Sequence, residues 1–454
     1  MNHYCLNCNK KITASNIKIK SCSCGNKSIK KDILDQKSIY KITKKIFNRK
    51  IKKDKFEYGK TTIPLSIPTY TEREAFESMQ SLLSTYVTNG QKVKEFENVW
   101  SKYSNIKNST LVTSASTANS LALSVLTDHS LKKRILPGDE IITPALTFAT
   151  TVYPILDVNA VPVLVDIDLK TLNIDETKIE KAITKKTKAI MPVHLLGNPC
   201  KIDVIKKIAI KHNLYLIEDA ADSSGAEYHG KKLGAWGDFS TFSFFFTHIM
   251  TTIEGGMIST DNPQLAELAK SKRSFGWIRD LKNKKKYEKK YKEIDPRFLF
   301  ISRGFNFKPT EIQGAFGIHQ IKKLDQFVEI RRKNANYWAD RLSKYFEYFI
   351  TIKEQPNTKS AWYGFPIIVQ KGAPFKREEL IKYLNSKGIQ TRPILSGNIV
   401  QQPVAKTFKY KKTSLKNAEF VNDNSFWIGN NHGIGSVERK AVADYFDDFM
   451  SKYI

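Results

Sequence analysis

One histidine of this chain lies in a setting that suits acid–base chemistry. His248 follows a short hydroxyl-rich run, Ser240 to Ser243, from which three aromatic residues and a threonine separate it. Six residues after the histidine comes Glu254-Gly255-Gly256, whose glycines permit a tight reversal of the chain. An unperturbed imidazole has a pKa of about 6.5, which suits proton transfer near neutral pH. The stretch therefore predicts a strand, a loop bearing the reactive residue, and a hairpin.

Two carboxylates form a second candidate group. Asp219 ends a predicted apolar strand that begins at Leu214, and Asp222 follows three residues later. A carboxylate at the end of a buried strand costs free energy unless it has a cationic partner. Each acid has a second interpretation as the cap of the next helix, which is the favoured one for Asp222 taken alone.

Two further segments suit an anionic, flat ligand. The run from Thr110 to Asn119 predicts a strand that turns into a helix at Ala115 and Ser116, and amides at a helix N-terminus attract phosphate. Taken alone this signal is weak, because Ser and Thr caps begin many helices. In the next strand-to-helix segment, Phe148 is either an ordinary core residue or a ring that stacks on a flat ligand.

These segments together resemble the DegT/DnrJ/EryC1/StrS-type family of pyridoxal-phosphate (PLP) enzymes, which aminate nucleotide-linked keto-sugars. The resemblance covers residues from about 64 to 454. In that family the pattern Ser-Phe-aromatic-x-Thr-Lys precedes Glu-Gly-Gly, and the lysine holds PLP as an imine. His248 stands at the lysine's position and cannot form that imine. The exchange resembles the family's 3-dehydratase branch, whose members make 3,6-dideoxy sugars for surface polysaccharides.

The resemblance implies a role for each matching residue. It places the pyridine nitrogen on Asp219 and the cofactor ring against Phe148. An acidic residue such as Asp222, in place of the aminotransferases' glutamine, again resembles the 3-dehydratase branch. The remaining matches contact the cofactor phosphate or the sugar nucleotide: Ala115, Ser116 and Ser243 the phosphate, Asn306 the phosphate of the neighbouring subunit's cofactor, and Arg392 and His432 the sugar nucleotide. The role of Asn306 implies a homodimer with shared active sites.

The implied reaction uses pyridoxamine phosphate (PMP) that is not covalently held. Its substrate is a nucleotide-linked 4-keto-6-deoxyhexose, His248 moves the proton, the C3 hydroxyl is lost, and L-glutamate restores PMP from PLP. A second branch carries an iron–sulfur cluster on cysteines of the catalytic domain and needs a reductase. Because only Cys200 follows residue 24, the glutamate-using branch is favoured, with a GDP-sugar over a CDP-sugar. Two rivals stay open: an aminotransferase that recruits another lysine, and a non-catalytic regulatory protein of the same fold.

The charge of the chain is concentrated near its start. The formal net charge is +29, and residues 1–64 hold 17 Lys and Arg against 4 Asp and Glu. The lysines alternate with Ile and Asn and not with aromatic or arginine residues, so a solvated face is favoured over attachment to nucleic acid or a membrane surface. No apolar run approaches the roughly 18 residues of a spanning helix, and a polar N-terminus predicts a cytoplasmic protein.

Four of the five cysteines lie in the first 24 residues: Cys5, Cys8, Cys22 and Cys24. Two close pairs of thiols predict a zinc knuckle, since paired thiolates can close one tetrahedral site. An iron–sulfur cluster and unligated thiols are the alternatives. Cys200 stands alone and is predicted to be small and buried.

The elements that must hold these residues alternate between strands and helices, which predicts a mostly parallel sheet. The resemblance specifies an α/β fold of PLP fold type I, similar to aspartate aminotransferase, with seven strands and a C-terminal α/β small domain. We expect a zinc knuckle at 1–28, a basic connector at 29–62, a large cofactor-binding domain at 63–318 and the small domain at 319–454. Apolar spacing predicts helices near 33–48, 71–84, 93–103, 313–344 and 376–387.

Overall fold

A computed structural model of the chain describes residues 3–4, 11–12, 36–50 and 56–454. The four clustered cysteines, Cys5, Cys8, Cys22 and Cys24, lie outside the described residues. The chain divides into two units, Met1–Lys53 with Thr71–Phe76, and Asp54–Tyr70 with Glu77–Ile454.

The strands of the described part of the chain are, in order, β1 His3–Tyr4, β2 Lys11–Ile12, β3 Asn108–Val112, β4 Glu140–Pro144, β5 Val161–Val165, β6 Thr187–Ile190, β7 Tyr215–Asp219, β8 Glu227–Tyr228, β9 Lys231–Lys232, β10 Phe239–Ser243, β11 Gly256–Thr260, β12 Phe349–Thr351, β13 Thr358–Lys359, β14 Gly364–Val369, β15 Thr391–Arg392, β16 Lys411–Lys412 and β17 Ser425–Gly429. The α-helices are α1 Gln36–Lys50, α2 Glu72–Leu83, α3 Gln91–Ser104, α4 Ala115–Leu126, α5 Ala149–Asp157, α6 Glu176–Ala182, α7 Ile202–Lys211, α8 Pro263–Arg273, α9 Lys284–Lys290, α10 Glu311–Gln320, α11 Leu324–Leu342, α12 Arg377–Ser386, α13 Lys416–Asn424 and α14 Ser436–Met450.

The first unit contains α1 and the short antiparallel pair of β1 with β2. The hydroxyl of Tyr40 on α1 donates to the carboxylate of Glu72 at 3.0 Å, and its ring packs edge-on against Phe76. The helix predicted near residues 33–48 is confirmed as α1.

The main sheet of the second unit has the order β16-β5-β4-β6-β7-β10-β11-β3. Its neighbours run parallel except around β11, which is antiparallel to both β10 and β3. Strands β4, β7 and β10 are buried along their whole length, as expected of a sheet that helices cover on both faces. The mostly parallel sheet is confirmed; beyond the seven expected strands it has an eighth, the two-residue edge strand β16.

A second sheet, of order β12-β14-β17-β15, is antiparallel throughout and lies in the C-terminal part of the chain. Its core includes Trp338 of α11, Phe365 of β14 and Phe446 of α14, each at most 1 % exposed. A three-stranded sheet, β13-β8-β9, joins a strand from residues 358–359 to a hairpin of the main domain. The division at residue 318 stays a prediction.

Most predicted helices are confirmed to within two or three residues, but one is wrong. The predicted single helix from 313 to 344 is two helices, α10 and α11, separated by a 3₁₀ turn at Ile321–Lys323. An apolar period continues through such a turn, so the sequence pattern does not register the break. In the described part of the chain, no helix is both long enough and apolar enough to span a membrane.

Candidate active site

A buried carboxylate lies at the carboxyl end of β7. Asp219 is 3 % exposed and accepts hydrogen bonds at Oδ2 from Thr151 (2.8 Å) and Asn119 (3.0 Å) and at Oδ1 from the Ala221 amide (3.2 Å). Burial raises the pKa of Asp219, while these donors oppose the shift. Within the described residues no lysine or arginine forms an ion pair with this carboxylate. It therefore suits a cationic group brought by a ligand.

Beside it, the start of α4 approaches the neighbouring strands closely. Ser114 caps the helix: its hydroxyl accepts from the Thr117 amide at 3.2 Å. Ser243 at the end of β10 pairs with Gly256 at the start of β11. A Cβ atom on Gly256 would lie 2.2 Å from the Ser114 carbonyl oxygen, so only glycine permits this approach. The half-buried Ala115 and Ser116 thus lie at a helix N-terminus beside Ser243, an arrangement that suits a phosphate.

His248 lies in the loop between β10 and β11, and its side chain is 14 % exposed. Its Nδ1 atom is 3.6 Å from Oδ1 of Asp222, too far for a hydrogen bond. Burial, followed by the positive charge of Arg331, lowers the pKa of His248 to about 3, so the imidazole is neutral at pH 7. Burial, followed by the charge of Asp219, raises the pKa of Asp222 to about 7. The pair therefore combines a neutral imidazole with a carboxylate that titrates near neutrality.

Phe148 immediately precedes α5 and has an exposed ring. With 52 % of its surface accessible, it is not an ordinary core residue. A large apolar ring left open beside a polar site suits contact with a flat ligand.

Two residues near His248 were not identified from the sequence. The ring of Tyr363 stacks on the imidazole, with centroids 4.8 Å apart and planes 22° apart. Arg331, which is 2 % exposed, donates from Nη1 to the carbonyl oxygens of Trp362 (3.3 Å) and Tyr363 (3.1 Å). Burial lowers the pKa of Arg331 to about 10, so it stays charged at pH 7. Arg331 lies on the buried, mostly apolar face of α11, and a charged residue on such a face is a sequence signal that could have identified it.

Three other predicted site residues lie on different elements of the chain. Asn306 is exposed in the loop before α10, and its side chain accepts a hydrogen bond from Lys308. Arg392 is exposed on β15. The ring of His432, after β17, packs at 4.4 Å from Phe327. An exposed Asn306 is compatible with the expectation that it serves a neighbouring subunit.

Residues 68–447 match the model of the DegT/DnrJ/EryC1/StrS aminotransferase family. The chain belongs to this family. It is 38 % identical to a GDP-4-keto-6-deoxy-D-mannose 3-dehydratase of Escherichia coli O55:H7, over 81 % of this chain and 95 % of the relative. It is 33 % identical to the lipopolysaccharide biosynthesis protein RfbH of Salmonella typhimurium, over 87 % of this chain and 93 % of the relative.

Among solved structures, the fold is similar to a crystal structure of GDP-4-keto-6-deoxymannose-3-dehydratase with a trapped PLP–glutamate geminal diamine. The TM-score is 0.78 at 36 % identity, and the match covers 84 % of this chain and 99 % of the other. The PLP fold class expected from the sequence is therefore confirmed for this family member.

The site of this chain fits PLP or PMP. Among the described residues Asp219 forms no ion pair with a lysine or arginine, Gly256 leaves the amides at the start of α4 accessible, and the Phe148 ring is open. By contrast, among the described residues no group of three or more His, Cys, Asp or Glu is placed to hold a metal ion.

Proposed function

We propose that this chain is a PLP/PMP-dependent nucleotide-sugar 3-dehydratase. It removes the C3 hydroxyl of a GDP-linked 4-keto-6-deoxyhexose, for the synthesis of dideoxy sugars in surface polysaccharide such as lipopolysaccharide O-antigen. L-Glutamate restores the amine form of the cofactor. The observation that carries the proposal is His248, a residue unable to anchor PLP, within a site whose other groups suit that cofactor.

The geometry of the site supports a role for each of these groups. The cofactor, when bound, supplies the electron sink that makes loss of the C3 hydroxyl feasible. Asp219 would keep the pyridine nitrogen of the cofactor protonated, because a buried carboxylate favours a cation beside it. The amides of Ala115 and Ser116, with Ser243, would hold the phosphate, and the exposed ring of Phe148 would contact the flat ring of the cofactor.

His248 acts as the acid and base. In the free protein its imidazole is neutral and can accept a proton. A phosphate-bearing ligand brings negative charge, which raises the pKa of His248 from its low value toward the operating pH. After accepting the proton, the imidazolium can protonate the departing C3 oxygen, so one residue serves both steps. A lysine at this position would favour covalent anchoring and amine transfer instead.

The test is mass spectrometry of the sugar nucleotide after incubation with PLP, L-glutamate and either a GDP- or a CDP-linked 4-keto-6-deoxyhexose. We expect a product lacking the C3 oxygen from the GDP-sugar, together with 2-oxoglutarate and ammonia. His248→Asn should bind PMP and form no product. A product with nitrogen at C4 would identify an aminotransferase, and full turnover by His248→Asn would contradict the role of the histidine.

Three other features belong to the same proposal. The enzyme is a homodimer in which Asn306 of each subunit reaches the phosphate of its partner's cofactor. Arg392 and His432 bind the sugar nucleotide. Cys5, Cys8, Cys22 and Cys24 hold one zinc ion, and metal analysis of the intact protein should find about one equivalent that is lost when residues 1–28 are deleted.

A further inference from the structure

Two loops with unusual backbone conformations meet behind His248. The first is the 3₁₀ turn Leu195–Gly197, and the second is Ser360–Tyr363, immediately before β14. Leu196 has a φ of 51° and Trp362 a φ of 46°. Left-handed conformations cost bulky residues on the order of 1–3 kcal/mol and persist where the surroundings enforce them. Strain in both loops at one contact points to a role for that contact.

Backbone hydrogen bonds join the two loops directly. The Tyr363 amide donates to the carbonyl oxygen of Leu196 at 2.8 Å. The Ala361 amide and the Ser360 hydroxyl both donate to the carbonyl oxygen of Gly197, each at 2.9 Å. A Cβ atom on Gly197 would lie 2.8 Å from the Trp362 amide nitrogen, so the loops touch through their backbones. We call this pair of segments, Leu195–Gly197 and Ser360–Tyr363, the two-loop clamp.

The clamp reaches His248 from two sides. From one side, Tyr363 stacks on the imidazole, and its hydroxyl shares a hydrogen bond with the Thr247 hydroxyl at 3.1 Å. From the other, the Leu196 amide donates to Oδ2 of Asp222 at 3.2 Å, while Oδ1 of the same carboxylate faces Nδ1 of His248 at 3.6 Å. These contacts connect His248 to Tyr363, Tyr363 to Leu196, and Leu196 through Asp222 back to His248.

His248 needs such support, because its own polar contacts do not fix the ring. Within the described residues its Nδ1 atom is buried without a hydrogen-bond partner. An imidazole held only by its backbone can rotate about two side-chain bonds, and a base must point at the proton it removes. Stacking on Tyr363 fixes the plane of the ring, and the carboxylate of Asp222 lies 3.6 Å from its Nδ1 edge.

We infer that the two-loop clamp sets the orientation of the His248 imidazole and that Tyr363 is its positioning residue. This inference rests on the proposed function, since it concerns the same base. Tyr363 and His248 lie far apart in the chain, so the clamp ties the reactive loop to the C-terminal part of the protein. The aromatic ring is the part that matters most, and the hydroxyl group keeps that ring in place through Thr247.

The first test separates the ring from the hydroxyl. Tyr363→Leu removes the stack, and we expect kcat to fall about 100-fold with KM changed less than about threefold, since a misplaced base slows chemistry more than binding. Tyr363→Phe retains the stack but loses the hydrogen bond to Thr247, so its kcat should fall only about threefold. Tyr337→Leu, which removes a partly buried aromatic ring on α11 outside the clamp, is the matched control and should leave kcat unchanged.

The second test reads the imidazole without turnover. The pKa of His248 is measured by NMR in the apo-protein with labelled histidine, the signal being assigned by its loss in His248→Asn. The charged groups facing this ring are Asp222 and Arg331, with the Tyr363 phenol beside them. Removing the Tyr363 ring admits water, so Tyr363→Leu should raise the His248 pKa by at least about one unit, toward 6.5, whereas Tyr363→Phe should not.

Several outcomes would overturn the inference. Unchanged kcat and unchanged His248 pKa in Tyr363→Leu would do so, as would equal losses in Tyr363→Phe and Tyr363→Leu. If Tyr363→Leu does not fold, Thr247→Val provides the test: a fall in kcat of about threefold at constant KM is expected, and a wild-type kcat contradicts the clamp. Absence of dehydration by the wild type would refute the proposed function, while the NMR titration would still judge the positioning.

Discussion

Gly256 offers the most direct test of the predicted phosphate site. It is the first residue of β11 and pairs with Ser243 on one side and Val112 on the other. In Gly256→Ala the new Cβ would lie 2.2 Å from the Ser114 carbonyl oxygen and 2.6 Å from the Ala115 amide nitrogen. Both are backbone atoms, so no side-chain rotation relieves the contact. The start of α4 must move away by roughly 1.5 Å to reach ordinary contact distance.

The size of the effect follows from that displacement. Overpacking of this kind costs about 1–3 kcal/mol in the free energy of unfolding. A phosphate held by amide hydrogen bonds tolerates little movement of its donors, and the loss of one or two such bonds, at roughly 1.5 kcal/mol each, weakens binding about 10- to 100-fold. We therefore expect Gly256→Ala to lose both stability and affinity for PLP.

The assay is equilibrium titration of the apo-protein with PLP, followed by absorbance, together with urea unfolding. The control is Gly372→Ala, because a Cβ atom on Gly372 would have no neighbour within 4 Å among the described residues and should change neither quantity. If Gly256→Ala binds PLP as tightly as the wild type, the phosphate does not lie at the start of α4. Equal losses in the two variants would also refute the reasoning.

Two further predictions concern charge and assembly. The pKa of Asp222 is raised to about 7 in the folded protein, so the stability that this group contributes below about pH 4 is lost as the pH rises to 7. In urea unfolding of the apo-protein, Asp222→Asn should therefore be more stable than the wild type at pH 8 by on the order of 4 kcal/mol, but not at pH 4. If stability depended on pH in the same way in both proteins, the raised pKa of Asp222 would be contradicted. Mixing inactive Asn306→Ala and His248→Asn proteins after unfolding and refolding together should restore roughly a quarter of wild-type activity, since half of the dimers are mixed and each has one intact site; no recovery would refute shared sites.

The sequence predicted the site residues whose positions depend only on where they stand within a strand and the turn after it. Asp219 ends a strand, Ser243 ends the next one in space, and Gly256 opens the hairpin after His248. Each motif is a strand followed by a turn, and a parallel sheet brings the carboxyl ends of its strands to one edge. The local pattern and the sheet type together were therefore enough to place these residues near each other.

Other features depend on contacts between distant parts of the chain. The hydrogen bond between Thr247 and Tyr363 spans 116 residues. Leu196 is left-handed although it is neither glycine nor asparagine, the residue types that usually adopt this conformation. The short edge strand β16 pairs with β5, placing Lys411 beside Val163 from a much earlier part of the chain. Apolar periodicity describes only one element at a time, so such pairings are invisible to it.

The sequence by itself determined the fold class, the order of the elements and the chemical type of the reactive residue, because these depend on residue identity and on spacing along the chain. Only the tertiary structure decided the protonation and orientation of His248. Its neutral state comes from burial and the charge of Arg331, and its ring plane comes from Tyr363. Both partners reach the site from the C-terminal part of the chain, through packing that no local pattern specifies.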